Sequence, residues 1–235
     1  MVEGEELVYN VRYAFIDLGQ VRIRNYGRQK DVSFHAYRTF ANIDSYKGVP
    51  FVDLHATFES LIDSSSYSRA FTGKVKQDAM WDFARYHFEY DKSLVIMDIG
   101  HRDTIVSKRE TLDVKGPQQD GLSLFFFARE HLFDRKKVHV PAVVTEKAVN
   151  AYITFTDERE EVEVDAIDYP VDVMRFEGNL DFIGIFGLSG EFEGWFSNDE
   201  ARIPILAKMK VLIGSVTIEL MSWKRQGWVP PKGQG

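Results

Sequence analysis

Cysteine is absent from the 235 residues. That removes disulfides, thiolate nucleophiles and Cys-ligated zinc together. No run approaches the ~18 apolar residues of a membrane-spanning helix. Basic residues do not predominate: 29 Lys and Arg stand against 36 Asp and Glu, a net charge of −7. A nucleic-acid binder usually shows a basic surface, so no nucleic-acid partner is expected. The P-loop, the G-x-G-x-x-G fingerprint and the G-x-S-x-G elbow are all missing. The opening "MVEGEELVYN" is acidic and has no apolar signal core. Two expectations follow: a cytoplasmic protein, or a mature exported one whose first methionine is a replacement.

What the chain has in quantity is aromatic side chains: 18 Phe, 10 Tyr and 4 Trp. They can fill a sizeable core in one large β domain. Period-2 alternation runs through most of the sequence. In "LVYNVRYAF", Tyr9, Val11, Tyr13 and Phe15 fall on one side, with Asn10 and Arg12 on the other. Similar segments follow, separated by polar turn chemistry such as "NYGRQK", "DSSS", "YDKS" and "GHRD". "DEREEVEVD" reads as an acidic hairpin at most. This spacing predicts a mainly β fold: a large curved antiparallel sheet, partly closed, like a half-barrel or β-spiral.

One segment breaks the alternation. "QDGLSLFFFAREHLFDRKK" has helical spacing, with Asp120 as its N-cap and Asp134, Arg135, Lys136 and Lys137 as a polar end. It is apolar on nearly every side, so it is expected to be buried in the concavity of the sheet. Phe125, Phe126 and Phe127 point about 100° apart. Two should be enclosed, and one should border a cavity. Residues 1–223 read as one β-rich domain, and 224–235 as an extended, mobile tail.

Several polar groupings compete for a functional reading. Asn198, Asp199, Glu200 and Arg202 crowd together before an apolar strand. Their residue types favour a turn between strands over an acid pair. Arg85, His87, Glu89 and Asp91 share one strand face, yet i and i+4 on a strand lie too far apart to hold one ion alone. The nearer reading is a solvated face opposite Ala84, Tyr86, Phe88 and Tyr90. Arg12, Arg22, Arg24 and Arg38 offer a candidate anion site for a phosphate or lipid headgroup. The plainer alternative is exposed arginines answering the many acids. Gly184, Gly187 and Gly190 of "IGIFGLSG" mark a turn rather than a phosphate cradle. No metal set and no cofactor are expected.

Four segments taken together resemble the bacterial family of domain of unknown function 3108: "GEELVYNVRYAFIDLGQVRI", "HATFESLIDSSSYSRAFTGKV", "DGLSLFFFARE" and "GWFSNDEARIPILAKMKVLIGSVTIELMSW". The similarity spans roughly residues 4–223, and the W-x-S-x-D-x-x-R-x-P-like stretch from Trp195 to Pro204 is its most specific part. The resemblance implies an exported, periplasmic or other cell-envelope protein. It carries no catalytic residues across. More loosely, the chain is similar to envelope proteins whose curved sheet wraps a helix and holds acyl chains. The expectation is therefore a non-enzymatic binder of a lipid, another apolar or amphipathic ligand, or a partner segment, with Tyr13, Phe125, Phe126, Phe127 and Trp195 as candidate lining residues. The rivals are a glycan- or lipid-active enzyme using scattered carboxylates, and a purely structural or assembly module.

Overall fold

The computed structural model of the chain describes residues 1–29, 35–50, 52–181, 188–211 and 214–234, with the side chains of 188 and 189 excluded. Gly184 and Gly187 lie outside the described residues. The strands are β1 (Glu6–Tyr13), β2 (Ile16–Gln29), β3 (Ala36–Ser45), β4 (His55–Asp63), β5 (Ser68–Gln77), β6 (Met80–Glu89), β7 (Leu94–His101) and β8 (Ile105–Asp113). After the helix α1 (Ser123–His131) come β9 (Lys137–Val144), β10 (Lys147–Val164), β11 (Ile167–Leu180), β12 (Leu188–Ser197), β13 (Pro204–Val211) and β14 (Ser215–Lys224).

All of them join one 14-stranded antiparallel sheet, in the order β8-β7-β6-β5-β4-β3-β2-β1-β14-β13-β12-β11-β10-β9. The first and last strands pair in the middle, and the edges are β8 and β9. The helix lies on the connection between those edges. Its buried residues pack on one face of the sheet: Phe126 with Leu7, Tyr9 and Ile23, and Phe127 with Val140, Ile153 and Phe176. This is the expected curved sheet around one helix.

The two edges approach without pairing as strands. Residues 114–120 run between them as a strap. Gln119 donates its N–H to Pro141 O at 2.9 Å and accepts from Val143 N at 2.8 Å, while Ser68 N donates to Gln118 O at 3.1 Å. The Tyr86 hydroxyl donates to Glu146 Oε1 at 3.0 Å and accepts from Glu146 N at 3.1 Å. Val143 of β9 packs in the same cluster as Phe71, Phe88 and Met97.

Three sequence expectations need correction. In "NYGRQK", residues 25–29 are strand rather than turn, and Lys30 lies outside the described residues. β2 crosses a bulge between Asn25 and Arg28, where Gly27 has φ +81° and donates its N–H to Asn25 Oδ1 at 2.9 Å. Glycine tolerates that backbone where other residues are strained. "DEREEVEVD" is no separate hairpin. It is the far half of β10, set off by an irregularity: Phe155 pairs with Phe176, but the next pair is Arg159 with Met174. Beyond this break the β10–β11 hairpin folds back near β13 and β14 as a flap. Val162, Val164 and Val171 of the flap join Trp195, Leu206, Trp223 and Trp228 in one apolar cluster. The tail after 224 is extended but docked, not mobile. Asp172 N donates to Pro231 O at 2.9 Å, Gly233 N to Pro170 O at 2.8 Å and the Tyr169 hydroxyl to Pro230 O at 2.9 Å.

Candidate functional site

The helix is short, and both its ends are fixed. Asp120 lies before its first turn, fully buried. Its Oδ1 accepts from Leu122 N at 2.7 Å and Ser123 N at 2.8 Å. Its Oδ2 accepts from the Ser60 and Ser68 hydroxyls, both at 2.5 Å. Burial pushes this carboxyl above the usual range, against the pull of these four donors.

At the other end, Arg202 Nη1 donates to Glu130 O at 2.7 Å, satisfying a carbonyl the helix leaves unpaired. Arg129 answers from the helix, donating to Ala201 O at 3.0 Å and to Glu5 Oε1 at 2.5 Å. Glu5, only 3% exposed, also binds Arg225. Burial alone would raise the Glu5 carboxyl. The hydrogen bonds and charges of Arg129 and Arg225 outweigh it and hold the group below its ordinary value.

The crowded polar stretch is therefore a clasp. Asp199 Oδ1 accepts from the Ser197 hydroxyl at 2.7 Å and from Ala201 N and Arg202 N, both at 3.0 Å, while its Oδ2 accepts from Trp228 Nε1 at 2.7 Å. Ser197, Asp199 and Arg202 close the β12–β13 turn, grip the helix end and hold the tail.

Between its anchored ends the helix covers an apolar cavity of about 270 Å³. Leu124, Phe125 and Ala128 face it from the helix; Tyr9, Ile23, Ile153, Phe176, Phe192, Phe196 and Met209 contribute from the sheet. Two reciprocal pairs shape one wall: Phe176 lies opposite Gly194, and Phe192 opposite Gly178. A Cβ at either glycine would run into the facing ring.

The candidate lining residues separate. Phe125 borders the cavity, whereas Phe126 and Phe127 are enclosed at 4% and 7% exposure. Tyr13 sits at the end of β1 opposite Val216 and Ile16, outside the lining. Tyr9, on the same strand, lines the cavity in place of Tyr13. Trp195 points away from the cavity. It pairs laterally with Leu206, donates its Nε1–H to Glu160 Oε2 at 2.7 Å and is sealed under the flap. Sequence reasoning placed Tyr9 on the right side of its strand but did not single it out. Its central position in the alternation was the available signal.

The arginines do not form a common anion site. Arg12 binds Asp17 at 2.9 Å and Asp165 of the flap at 3.0 Å. Arg22 and Arg24 share Glu6, and Arg38 meets Glu59 at 2.8 and 2.9 Å. Among the described residues, no three His, Asp or Glu side chains gather as a metal would require. No helix among them is long and apolar enough to cross a membrane.

The DUF3108 family model, described as a protein of unknown function, matches residues 8–221. The chain belongs to the DUF3108 family. No curated protein matches it. Among solved structures, this DUF3108 chain is similar to a beta-barrel-like protein of domain of unknown function DUF1849 from Brucella abortus, with a TM-score of 0.60 at 12% identity over 95% of this chain and 98% of that one. At that identity the likeness concerns the fold.

Proposed function

We propose that this DUF3108 chain is an exported cell-envelope protein that binds an apolar or amphipathic ligand without transforming it. The observation that carries the reading is the cavity of about 270 Å³ beneath α1, lined by aromatic and aliphatic side chains. Its size lies just under the usual range of ligand pockets, ~300–1,000 Å³, and suits a single chain or a small apolar molecule. Two other hollows are polar, and several of their charged groups are already paired. In the groove near Glu191 and Glu193, those groups are held by Lys210 and Arg175 at 2.7 and 2.6 Å. In the hollow near Arg129 and Arg225, both guanidinium groups grip Glu5.

The test is titration with an apolar fluorescent probe, N-phenyl-1-naphthylamine, followed by displacement with acyl compounds. Saturable uptake at one site is expected. If the wild-type protein takes up no probe at any accessible concentration, the reading gives way to a structural module. Export is tested separately, by fractionating the native host and locating the chain.

A further inference from the structure

Of the two edges of the sheet, one is covered. The strap lies along β9, where Gln119 exchanges hydrogen bonds with Pro141 and Val143. The other edge, β8, pairs with β7 alone among the described residues. The contacts that bring the edges together come from Phe71, Tyr86, Phe88 and Met97 of β5, β6 and β7. β8 stands outside that closure, and seven of its nine residues are exposed, Ile105 and Val106 among them. An open edge offers a row of unpaired N–H and C=O groups to another strand. An edge charged with one sign would repel its own copy. The charges of β8 are mixed, and they are symmetric about Arg109: Lys108 stands on one side of it and Glu110 on the other.

We propose that two copies of this chain pair antiparallel through β8, with Arg109 opposite Arg109 on the twofold axis. This register sets Lys108 opposite Glu110, Ser107 opposite Thr111 and Val106 opposite Leu112, each twice. Opposite charges, hydroxyl pairs and apolar pairs all stabilise directly opposed positions. Period 2 keeps Val106, Lys108, Glu110 and Leu112 on one face, the face on which Leu112 packs with Val95 and Met97. The Lys108–Glu110 ion pair within each strand, 2.5 Å long, meets its mate in a square of alternating charge. The two arginines meet on the other face, where each is answered by Asp98 of its own copy at 2.5 and 2.7 Å. The outermost pair, Ile105 with Asp113, gains nothing. A slip of one residue sets Lys108 against Arg109 in one direction, and Val106 and Leu112 against Asp113 and Ser107 in the other. The edge is separate from the cavity beneath α1, and its failure would leave the ligand reading standing.

Sedimentation equilibrium measures the association of the full chain, whose monomer mass is 27.1 kDa. A reversible monomer–dimer equilibrium is expected, because nine residues a side fall well below the ~20–30 of a standard interface. Lys108→Glu and Glu110→Lys should each weaken it about tenfold, since two attractive cross-strand pairs turn repulsive. The doubly reversed chain, Lys108→Glu with Glu110→Lys, should dimerise as wild type does, a rescue that a role in folding alone would not produce. Thermal melting verifies each fold. Disulfide trapping reads the register, and a chain without cysteine gives it no background. Arg109→Cys should cross-link to itself under mild oxidation. Ser107→Cys and Thr111→Cys should each fail alone, their own mates lying four residues or ~13 Å along the strand, and should cross-link when mixed. A monomer at every accessible concentration overturns the inference and leaves the edge to a strand of another protein. A dimer that the charge reversals leave unchanged, or whose cross-links fall at other positions, overturns it too, because a different surface then joins the copies.

Discussion

Truncating the three consecutive phenylalanines of α1 one at a time separates packing from ligand contact. Phe126 and Phe127 are almost fully enclosed, in two different apolar clusters. Removing such a ring loses its transfer free energy and leaves a void, together about 3–5 kcal/mol. Phe125 is only half-buried, and the space on one side of it is already empty. Its ring meets Phe126 edge-on at 5.2 Å and Phe196 at 6.4 Å. Burying a whole Phe side chain contributes about 1.5–3 kcal/mol by transfer. A half-buried one contributes about half of that, and an aromatic pair adds about 0.5–1.5 kcal/mol. Phe125→Ala should therefore cost about 2 kcal/mol, with little void term. Urea unfolding at constant slope gives the three stability losses, and probe titration gives the three affinities. The expected pattern is crossed: the variant with the smallest stability loss has the largest change in binding. Equal destabilisation by all three, with unaltered probe affinity in Phe125→Ala, would refute the assignment of Phe125 to the cavity wall.

Three further substitutions probe the surroundings. Gly194→Ala places a Cβ against the Phe176 ring; it should cost about 1–3 kcal/mol as overpacking and lower probe uptake by pushing that ring toward the cavity, both readable in one urea and titration series. Glu5→Gln removes the buried partner of Arg129 and Arg225 and should cost about 3–5 kcal/mol near neutral pH. Because the folded Glu5 carboxyl lies below its unfolded value, its contribution is complete above the ordinary carboxyl range and is lost as pH falls through the lowered value; urea midpoints from pH 7 to pH 3 should fall less for the Glu5→Gln variant than for wild type, and parallel curves would contradict the linkage. Trp195→Phe keeps a ring but loses the hydrogen bond to Glu160; it should cost about 1.5–3 kcal/mol and speed proteolysis within the flap, while probe affinity stays at the wild-type value because Trp195 faces away from the cavity.

The alternation of side chains made most of the strands legible. "LVYNVRYAF" spans nearly all of β1, which runs from Glu6 to Tyr13. Most strands have one face on a core, and period 2 records that directly; the edge strand β8 is exposed along nearly its whole length. The helix was legible from its apolar surround, though its regular part is shorter than the segment "QDGLSLFFFAREHLFDRKK". Bulges were not legible. Gly27 looks like turn chemistry because its backbone is that of a turn, yet the pairing with β3 resumes beyond it. Nor could a single sequence show that β10 bends, so Trp195 was assigned to the helix-bearing face when the flap covers it on the other. Long-range ion pairs left no local trace at all: Glu5 and Arg129 are 124 positions apart. The resemblance located Trp195 to Pro204 as a distinctive stretch, but its physical role as a clasp emerged only from the contacts of Ser197, Asp199 and Arg202.

Those contacts also bear on how a ligand would enter. A helix of nine residues is too short to persist on its own. Here its first turn is held by Asp120 and its last by Arg202, while Arg129 ties it to Glu5 on the first strand. A lid that swung open would have to break all three attachments, including a buried ion pair. Local opening free energies of that size belong to cores rather than to gates. The helix is thus a fixed wall of a hollow that is already partly open to solvent, and entry requires no movement of the helix. Affinity should then follow the apolar area a ligand buries, because the ordering of the surrounding backbone is completed when the protein folds.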